Sequence, residues 1–232
     1  MKLSIIIPVF NEKNTIEKII TKINNLKNLD IETIVVDDFS NDGTTSILKK
    51  SIYKKVNKII YHKENLGKGA AIKSAKKFIS GDIIIIQDAD LEYDPRDYYK
   101  LIKPIQNREY QVVYGSRVLG KNRYTANNFY SIFRIFFNHI LTILSNFINN
   151  QNLTDAHTCY KVFHRKVFDK LTLQEKGFAF CPEVTTKLSL LGIDIKEVSI
   201  NYWGRTFKEG KKISYLDGIL AISSLIKYRY FK

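Results

Sequence analysis

Asp82-Ile83-Ile84-Ile85-Ile86-Gln87-Asp88-Ala89-Asp90 is a run of four isoleucines that ends, one residue later, in two carboxylates spaced two apart. β-Branched side chains crowd a helix and pack well on a pleated sheet, so Asp82–Gln87 reads as a strand. It is apolar at consecutive positions, which suits a strand covered on both faces, as in parallel sheets. A buried unpaired carboxylate costs several kcal/mol. Asp88 and Asp90 are therefore expected on a rim facing a ligand, not in the core.

The same signature recurs on either side. Leu3–Val9, Ile31–Asp37, Asn57–His62 and Tyr110–Tyr114 are short and rich in Ile, Val or Tyr. Between them, Thr15–Leu29, Thr44–Lys54 and Gly67–Ile79 carry helical spacing, and another helix begins after Asp94-Pro95, where proline suits the first turn. Strand–helix alternation predicts a doubly wound α/β sheet, which binds ligands beyond the carboxyl ends of its strands. Pro8–Glu12, Asp37-Asp38 and Asp88–Asp90 then form three acidic clusters on one rim. Mg²⁺ or Mn²⁺ takes one or two carboxylates plus substrate phosphates and water, so Asp88 and Asp90 are candidate metal ligands, with Glu92 a further one.

Composition narrows the class. With 44% hydrophobic and 26% charged residues over 232 positions, the chain can bury a sizeable core. Cys159 and Cys181 are too few for a disulfide framework and too far apart in sequence for a zinc motif, so a reducing, cytoplasmic setting is expected. Pro8 and Glu12 interrupt the N-terminal apolar stretch too early for a secretory signal. The net charge of +14 leaves nucleic acid, anionic lipid and phosphorylated substrates open, against the plainer reading of a solvated lysine surface.

The second half is less regular. Tyr130–Ile148 has apolar residues at helical spacing, and Leu216–Phe231 mixes Ile, Leu and aromatics with Lys227 and Arg229. Each is read either as an ordinary packed helix or as one lying in a lipid headgroup region. No window is apolar enough for a membrane span.

Taken in order, Pro8-Val9-Phe10-Asn11-Glu12, Val35–Thr44, Asn65-Leu66-Gly67-Lys68-Gly69 and Gln87-Asp88-Ala89-Asp90-Leu91 resemble the successive motifs of family 2 glycosyltransferases. The branch they are most similar to contains dolichol-phosphate mannose synthases and polyprenyl-phosphate glycosyltransferases. The resemblance runs from about Lys2 to Gly115 with specific motifs. It continues more loosely through Gly115-Ser116-Arg117, Thr154-Asp155, Cys159-Tyr160-Lys161 and the Gly204–Lys212 region. It implies one GT-A, Rossmann-like domain with a mostly parallel sheet flanked by helices. Residues 1–115 would be the nucleotide-sugar half and residues 116–232 the acceptor half, closed by C-terminal helices.

The resemblance also implies roles. Pro8, Phe10, Glu12 and Asp38 would contact the nucleoside of a GDP- or UDP-linked sugar, and Lys68 would border that site. Asp88 and Asp90 would hold the metal on the diphosphate. Relatives carry Gln where this chain has Glu92, which would be a third metal contact. Arg205 and Lys211 would lie over the diphosphate, and Arg117 with Arg123 would bind an acceptor phosphate. Glu183 sits where relatives with hydroxyl acceptors place a general base; its alternative is a carboxylate stabilising a helix N-terminus. Asp155, His157 and Cys159 are not expected to form a nucleophilic cluster, on the view that they point to different sides. Asp155 is expected to organise the acceptor loop.

The expected reaction is inverting transfer to a polyprenyl phosphate, by an enzyme peripheral at the cytoplasmic membrane face. A phosphate monoester is largely ionised at neutral pH and needs cations more than a base. Many relatives carry transmembrane helices after this domain, which leaves room for a separate membrane protein as partner. Transfer to a sugar hydroxyl in surface polysaccharide synthesis is the alternative. A nucleotidyltransferase lacks its basic N-terminal loop here. A nucleic-acid-binding module is disfavoured by the acidic rim and the lack of an aromatic stacking motif.

Overall fold

A computed structural model describes residues 1–120, 129–205 and 215–231, with backbone alone at 129–131, 133, 134 and 215–217. The elements run β1 (Leu3–Val9), α1 (Ile16–Asn24), β2 (Ile31–Asp37), α2 (Thr44–Ile47) continued by a π-type turn (Leu48–Ile52), β3 (Lys58–Tyr61), α3 (Lys68–Lys76) and β4 (Ile83–Ile86). A single 3₁₀ turn (Pro95–Asp97) leads into α4 (Tyr98–Gln106), followed by β5 (Val112–Ser116), α5 (Phe129–Asn149), β6 (Lys161–His164), α6 (Arg165–Lys170), α7 (Phe180–Leu190), β7 (Ile195–Ser199) and α8 (Tyr215–Tyr230).

One seven-stranded sheet has the order β3-β2-β1-β4-β6-β5-β7. β3, β2, β1 and β4 are mutually parallel. β6 runs antiparallel between β4 and β5, and β7 is parallel to β5. Ile83 to Ile86 are all fully buried, as a strand covered on both faces requires. On α1, Ile16, Ile19, Ile20 and Ile23 follow the i, i+3, i+4, i+7 rule and are all buried, each contributing about 1.5–3 kcal/mol. The chain winds from β1 to β2 and β3 on one side and returns to β4 on the other. The crevice between the ends of β1 and β4 is therefore the switch point where such sheets bind ligands.

β1 and β2 match their expected ranges. The helix expected over Thr15–Leu29 is observed as Ile16–Asn24, and the chain beyond it passes through a left-handed residue at Asn28 (φ +60°). The sequence reading did not foresee β6 or β7.

α5 packs on α7 and α8, and α8 on α7. Leu141, Thr142, Ser145 and Asn149 face inward on α5, while Phe136, Phe137, Ile140, Ile143 and Phe147 stay exposed, Phe147 at 85%. On α8 Ala221, Ser224, Leu225 and Tyr228 are buried; Ile219, Leu220, Ile222, Ile226 and Tyr230 are not. Each helix is thus packed on one face and apolar on the other. No helix among the described residues is long and apolar enough to cross a membrane.

Candidate active site

A cleft of about 350 Å³ opens where β1, β2 and β4 end, lined by Pro8, Phe10, Glu12, Asp38, Lys68, Asp88, Asp90, Glu92, Arg117 and Arg205 among others. Its β1 edge is fixed by the loop after β2: Ser40 Oγ accepts from Asn11 N at 2.9 Å, and Thr44 Oγ1 from Glu12 N at 2.8 Å. Asp38 is buried, with Oδ1 accepting from Leu66 N (2.9 Å) beside His62 Nδ1 (2.7 Å), and Oδ2 from Gly67 N (2.7 Å). Its carboxylate therefore shapes the loop that starts α3. Gly67 has φ +93°, and a Cβ there would stand 2.5 Å from the Lys176 carbonyl oxygen, so the loop is pressed against 175–177.

Two cations reach the β4 carboxylates. Lys68, in the first turn of α3, places Nζ 2.5 Å from Asp88 Oδ1 and 3.4 Å from Cys159 Sγ. Burial works against its charge, but Asp88 outweighs that and holds the ammonium on well above the ordinary lysine range. Arg205 donates from Nη1 and Nη2 to Glu12 (3.0 and 2.9 Å) and from Nη2 to Asp90 Oδ2 (3.2 Å). Glu92 is buried, with Oε1 accepting from Arg205 N at 2.7 Å and Oε2 from Tyr202 OH at 2.8 Å. It ties the chain after β7 to the cleft floor. Burial, then the charges of Asp88 and Glu92, push the Asp90 carboxyl up to about 7 against the pull of Arg205.

The donor set fits a hard divalent ion. Among the described residues no three His, Cys, Asp or Glu side chains gather to cage a metal. Asp88 and Asp90 instead offer the one or two carboxylates with which Mg²⁺ or Mn²⁺ enters a site on substrate phosphates. Burial first, and then Asp88 and Glu92, disfavour the ionised Asp90 carboxylate, and a bound divalent ion would favour it.

Arg117, which also lines the cleft, is gripped by Asp155, Nε to Oδ2 and Nη2 to Oδ1, both at 2.7 Å, and its guanidinium lies 5.2 Å from the Tyr202 ring centre. Beside it Lys161 is fully buried, its Nζ donating to the carbonyls of Ala156 and Thr158 at 2.9 Å and lying 3.9 Å from the Tyr114 ring centre. Those bonds brace the loop that carries Asp155, His157 and Cys159.

The structure differs from the sequence expectations at two places. Asp155, His157 and Cys159 do not point to different sides: they lie in a turn-rich loop, His157 and Cys159 both line the cleft, and Asp155 holds Arg117, which also lines it. A nucleophilic role still does not arise, since burial pushes the Cys159 thiol well up. Glu183 is not brought to the cleft. It is fully buried in the first turn of α7, with Oε1 accepting from Gln174 N (2.7 Å) and Lys187 Nζ (2.6 Å), and Oε2 from Glu175 N (2.9 Å). This carboxylate fixes the segment on which Gly67 and Gly69 rest and is not placed to take a proton from an acceptor. Arg123 and Lys211 lie outside the described residues.

The cleft-facing position of His157 has no counterpart among the sequence expectations. The available signal was its place two residues from Asp155 and from Cys159 in a stretch without strand periodicity.

Comparison with known proteins agrees with this architecture. Residues 4–172 match the model of the family described as Glycosyl transferase family 2. A dolichol-phosphate mannosyltransferase from Pyrococcus furiosus is 36% identical over 118 residues, covering 50% of this chain and 33% of that protein. The low-salt glycan biosynthesis hexosyltransferase Agl6 of Haloferax volcanii is 27% identical over 218 residues, covering 93% of this chain and 51% of its own length. The chain thus spans about a third and about half of these two curated relatives. Glucosyl-3-phosphoglycerate synthase from Mycobacterium tuberculosis, solved with Mn²⁺, UDP and phosphoglyceric acid, superposes with a TM-score of 0.75 at 19% identity, over 100% of this chain and 79% of that one. The shared fold is GT-A.

Proposed function

The chain belongs to glycosyl transferase family 2, and we propose that it transfers a sugar from a GDP- or UDP-linked donor to a polyprenyl phosphate at a membrane surface. The observation that carries this is the convergence of Asp88, Asp90 and Arg117 on one cleft at the strand ends. The Mn²⁺ and UDP of the mycobacterial synthase and the lipid phosphate in the Pyrococcus relative's name support the same reading.

In this reading Pro8, Phe10 and Glu12 border the nucleoside, and Asp38 acts by shaping the loop beside it. Asp88 and Asp90 would hold Mg²⁺ or Mn²⁺, which when bound supplies charge stabilisation to the departing diphosphate. Glu92 acts by holding Tyr202 and the Arg205 backbone, and remains a candidate further ligand. Arg205 is placed to trade carboxylates for phosphate oxygens as negative charge develops there. Arg117, with its N–H groups only partly taken up by Asp155, holds the acceptor phosphate in line. An acceptor oxygen forms its bond to the anomeric carbon as the bond to the nucleoside diphosphate breaks, and the electron pair leaves with that diphosphate. An ionised phosphate has no proton to lose, so the seating of Glu183 away from the cleft is no obstacle.

The exposed apolar faces of α5 and α8, with Lys227 and Arg229 on the last turn of α8, would rest in the headgroup region and bring a lipid acceptor to the cleft. The test is a transfer assay with labelled UDP-glucose or GDP-mannose, Mn²⁺ and undecaprenyl phosphate. Label should enter an organic-extractable product. Label passing only to a water-soluble sugar acceptor would overturn the lipid-phosphate reading.

A further inference from the structure

His157 lines the cleft together with Asp88, Arg117 and Cys159. The Leu141 main chain favours a proton on its ring, while Nε2 is buried and has no hydrogen-bond partner. A ring nitrogen that meets a carbonyl carries the proton, so Nδ1 is the donor and Nε2 is left as a bare lone pair. Burial, then the nearby Lys161 charge, lower the ring's pKa to about 4, so it is neutral at physiological pH. A buried polar atom without a partner costs about 1–3 kcal/mol, which makes Nε2 an acceptor waiting for a donor.

We propose that His157 is a specificity-determining residue whose Nε2 accepts a hydrogen bond from a hydroxyl of the donor sugar. This rests on the transfer reaction proposed above. The anomeric carbon must pass from the diphosphate over Asp88 and Asp90 to the acceptor at Arg117, so the sugar lies between them, along the wall that His157 and Cys159 form. A sugar hydroxyl supplies the proton that Nε2 lacks. A phosphate dianion has none, which assigns the contact to the donor sugar rather than to a lipid phosphate.

The test compares the affinity of UDP-glucose with that of UDP, and of GDP-mannose with that of GDP, all with Mg²⁺, for wild type, His157→Phe and His157→Gln. Removing the acceptor in His157→Phe should weaken the sugar-bearing ligand by about three- to tenfold and leave the bare diphosphate unchanged. His157→Gln, which can return an acceptor oxygen, should recover most of the loss. In the wild-type protein, which bypasses any folding defect of the variants, the Nε2 ¹⁵N resonance should move on adding the nucleotide sugar and stay put with the diphosphate alone. An Nε2 signal indifferent to the sugar, or equal sugar affinity in His157→Phe, overturns the proposal. A defect confined to KM for a hydroxyl acceptor such as methyl glucoside would overturn the assignment to the donor. Failure of wild type to bind either diphosphate with Mg²⁺ would defeat the transfer reading and this proposal together.

Discussion

The Arg117 guanidinium is held by the Asp155 carboxylate through two parallel hydrogen bonds of 2.7 Å, and the Arg117 backbone N–H reaches the same carboxylate at 3.1 Å. Burial alone would raise the Asp155 carboxyl, but Arg117 overrides it and holds the group below its ordinary 3.8. The native state then binds that proton less readily than the unfolded chain. The pair's contribution is complete above pH about 4 and is lost as the pH falls below it. Asp155→Asn should remove this acid sensitivity. It should also cost about 3–5 kcal/mol at neutral pH, because Arg117 is left buried and unpaired. Denaturant unfolding of both proteins at pH 3 and pH 7 decides the matter, and an Asp155→Asn protein as stable as wild type at pH 7 would contradict it.

Arg117→Ala should fall by two orders of magnitude or more in transfer to undecaprenyl phosphate, since a desolvated phosphate loses its charge-assisted partner. Glu183→Gln should keep turnover within severalfold while its melting temperature drops, because the bonds to Gln174 N, Glu175 N and Lys187 are structural. The reverse ranking, with Glu183→Gln inactive at an unchanged melting temperature, would put a base back at that position and a hydroxyl in the acceptor site.

Gly69 and Gly177 provide a matched pair for the packing between the start of α3 and residues 175–177. A Cβ at Gly69 would collide with the backbone carbonyl of Glu175, whereas one at Gly177 meets nothing within 4 Å. Gly69→Ala should therefore destabilise the fold and loosen Lys68 from Asp88, while Gly177→Ala is tolerated. Equal melting temperatures for the two variants would show that the 175–177 segment yields.

How much of this was legible follows from which signals are local. β1, β2 and β4 announce themselves as short Ile/Val-rich runs because both of their faces are covered, and the carboxylates that follow or end them mark the rim. β6 did not, since Lys161-Val162-Phe163-His164 is four residues long and half polar. Its lysine is buried only because two carbonyls and the Tyr114 ring receive it, partners that no local pattern reveals. The sequence leaves Glu183 open between a general base and a carboxylate at a helix N-terminus; only the second matches its place in α7, because whether it faces the cleft depends on the 174–175 backbone folding over it. Arg117 and Asp155 lie 38 residues apart, and their pairing is a product of tertiary structure.

The apolar faces of α5 and α8 lead to a separate expectation. Recovery with floated anionic vesicles should be high at low salt and reduced at high salt, as lysine–lipid attraction is screened. A protein carrying Phe147→Asp with Ile219→Asp, both at exposed positions, should stay folded and remain in the soluble fraction. Flotation that is unaffected by the two substitutions would place the membrane contact elsewhere.

The most direct test of the central claim is binding of UDP and GDP to the purified protein, followed by thermal unfolding with and without Mn²⁺. A ligand at a hundredfold its Kd adds about 2.7 kcal/mol, enough to move the melting temperature of a chain this size by several degrees. One of the two diphosphates should raise the melting temperature in an Mn²⁺-dependent way, and the rise should disappear in Asp90→Asn, whose unliganded melting temperature is retained. A rise of equal size in chelator, or in Asp90→Asn with Mn²⁺, would contradict the assignment of Asp88 and Asp90 to a metal-bound diphosphate.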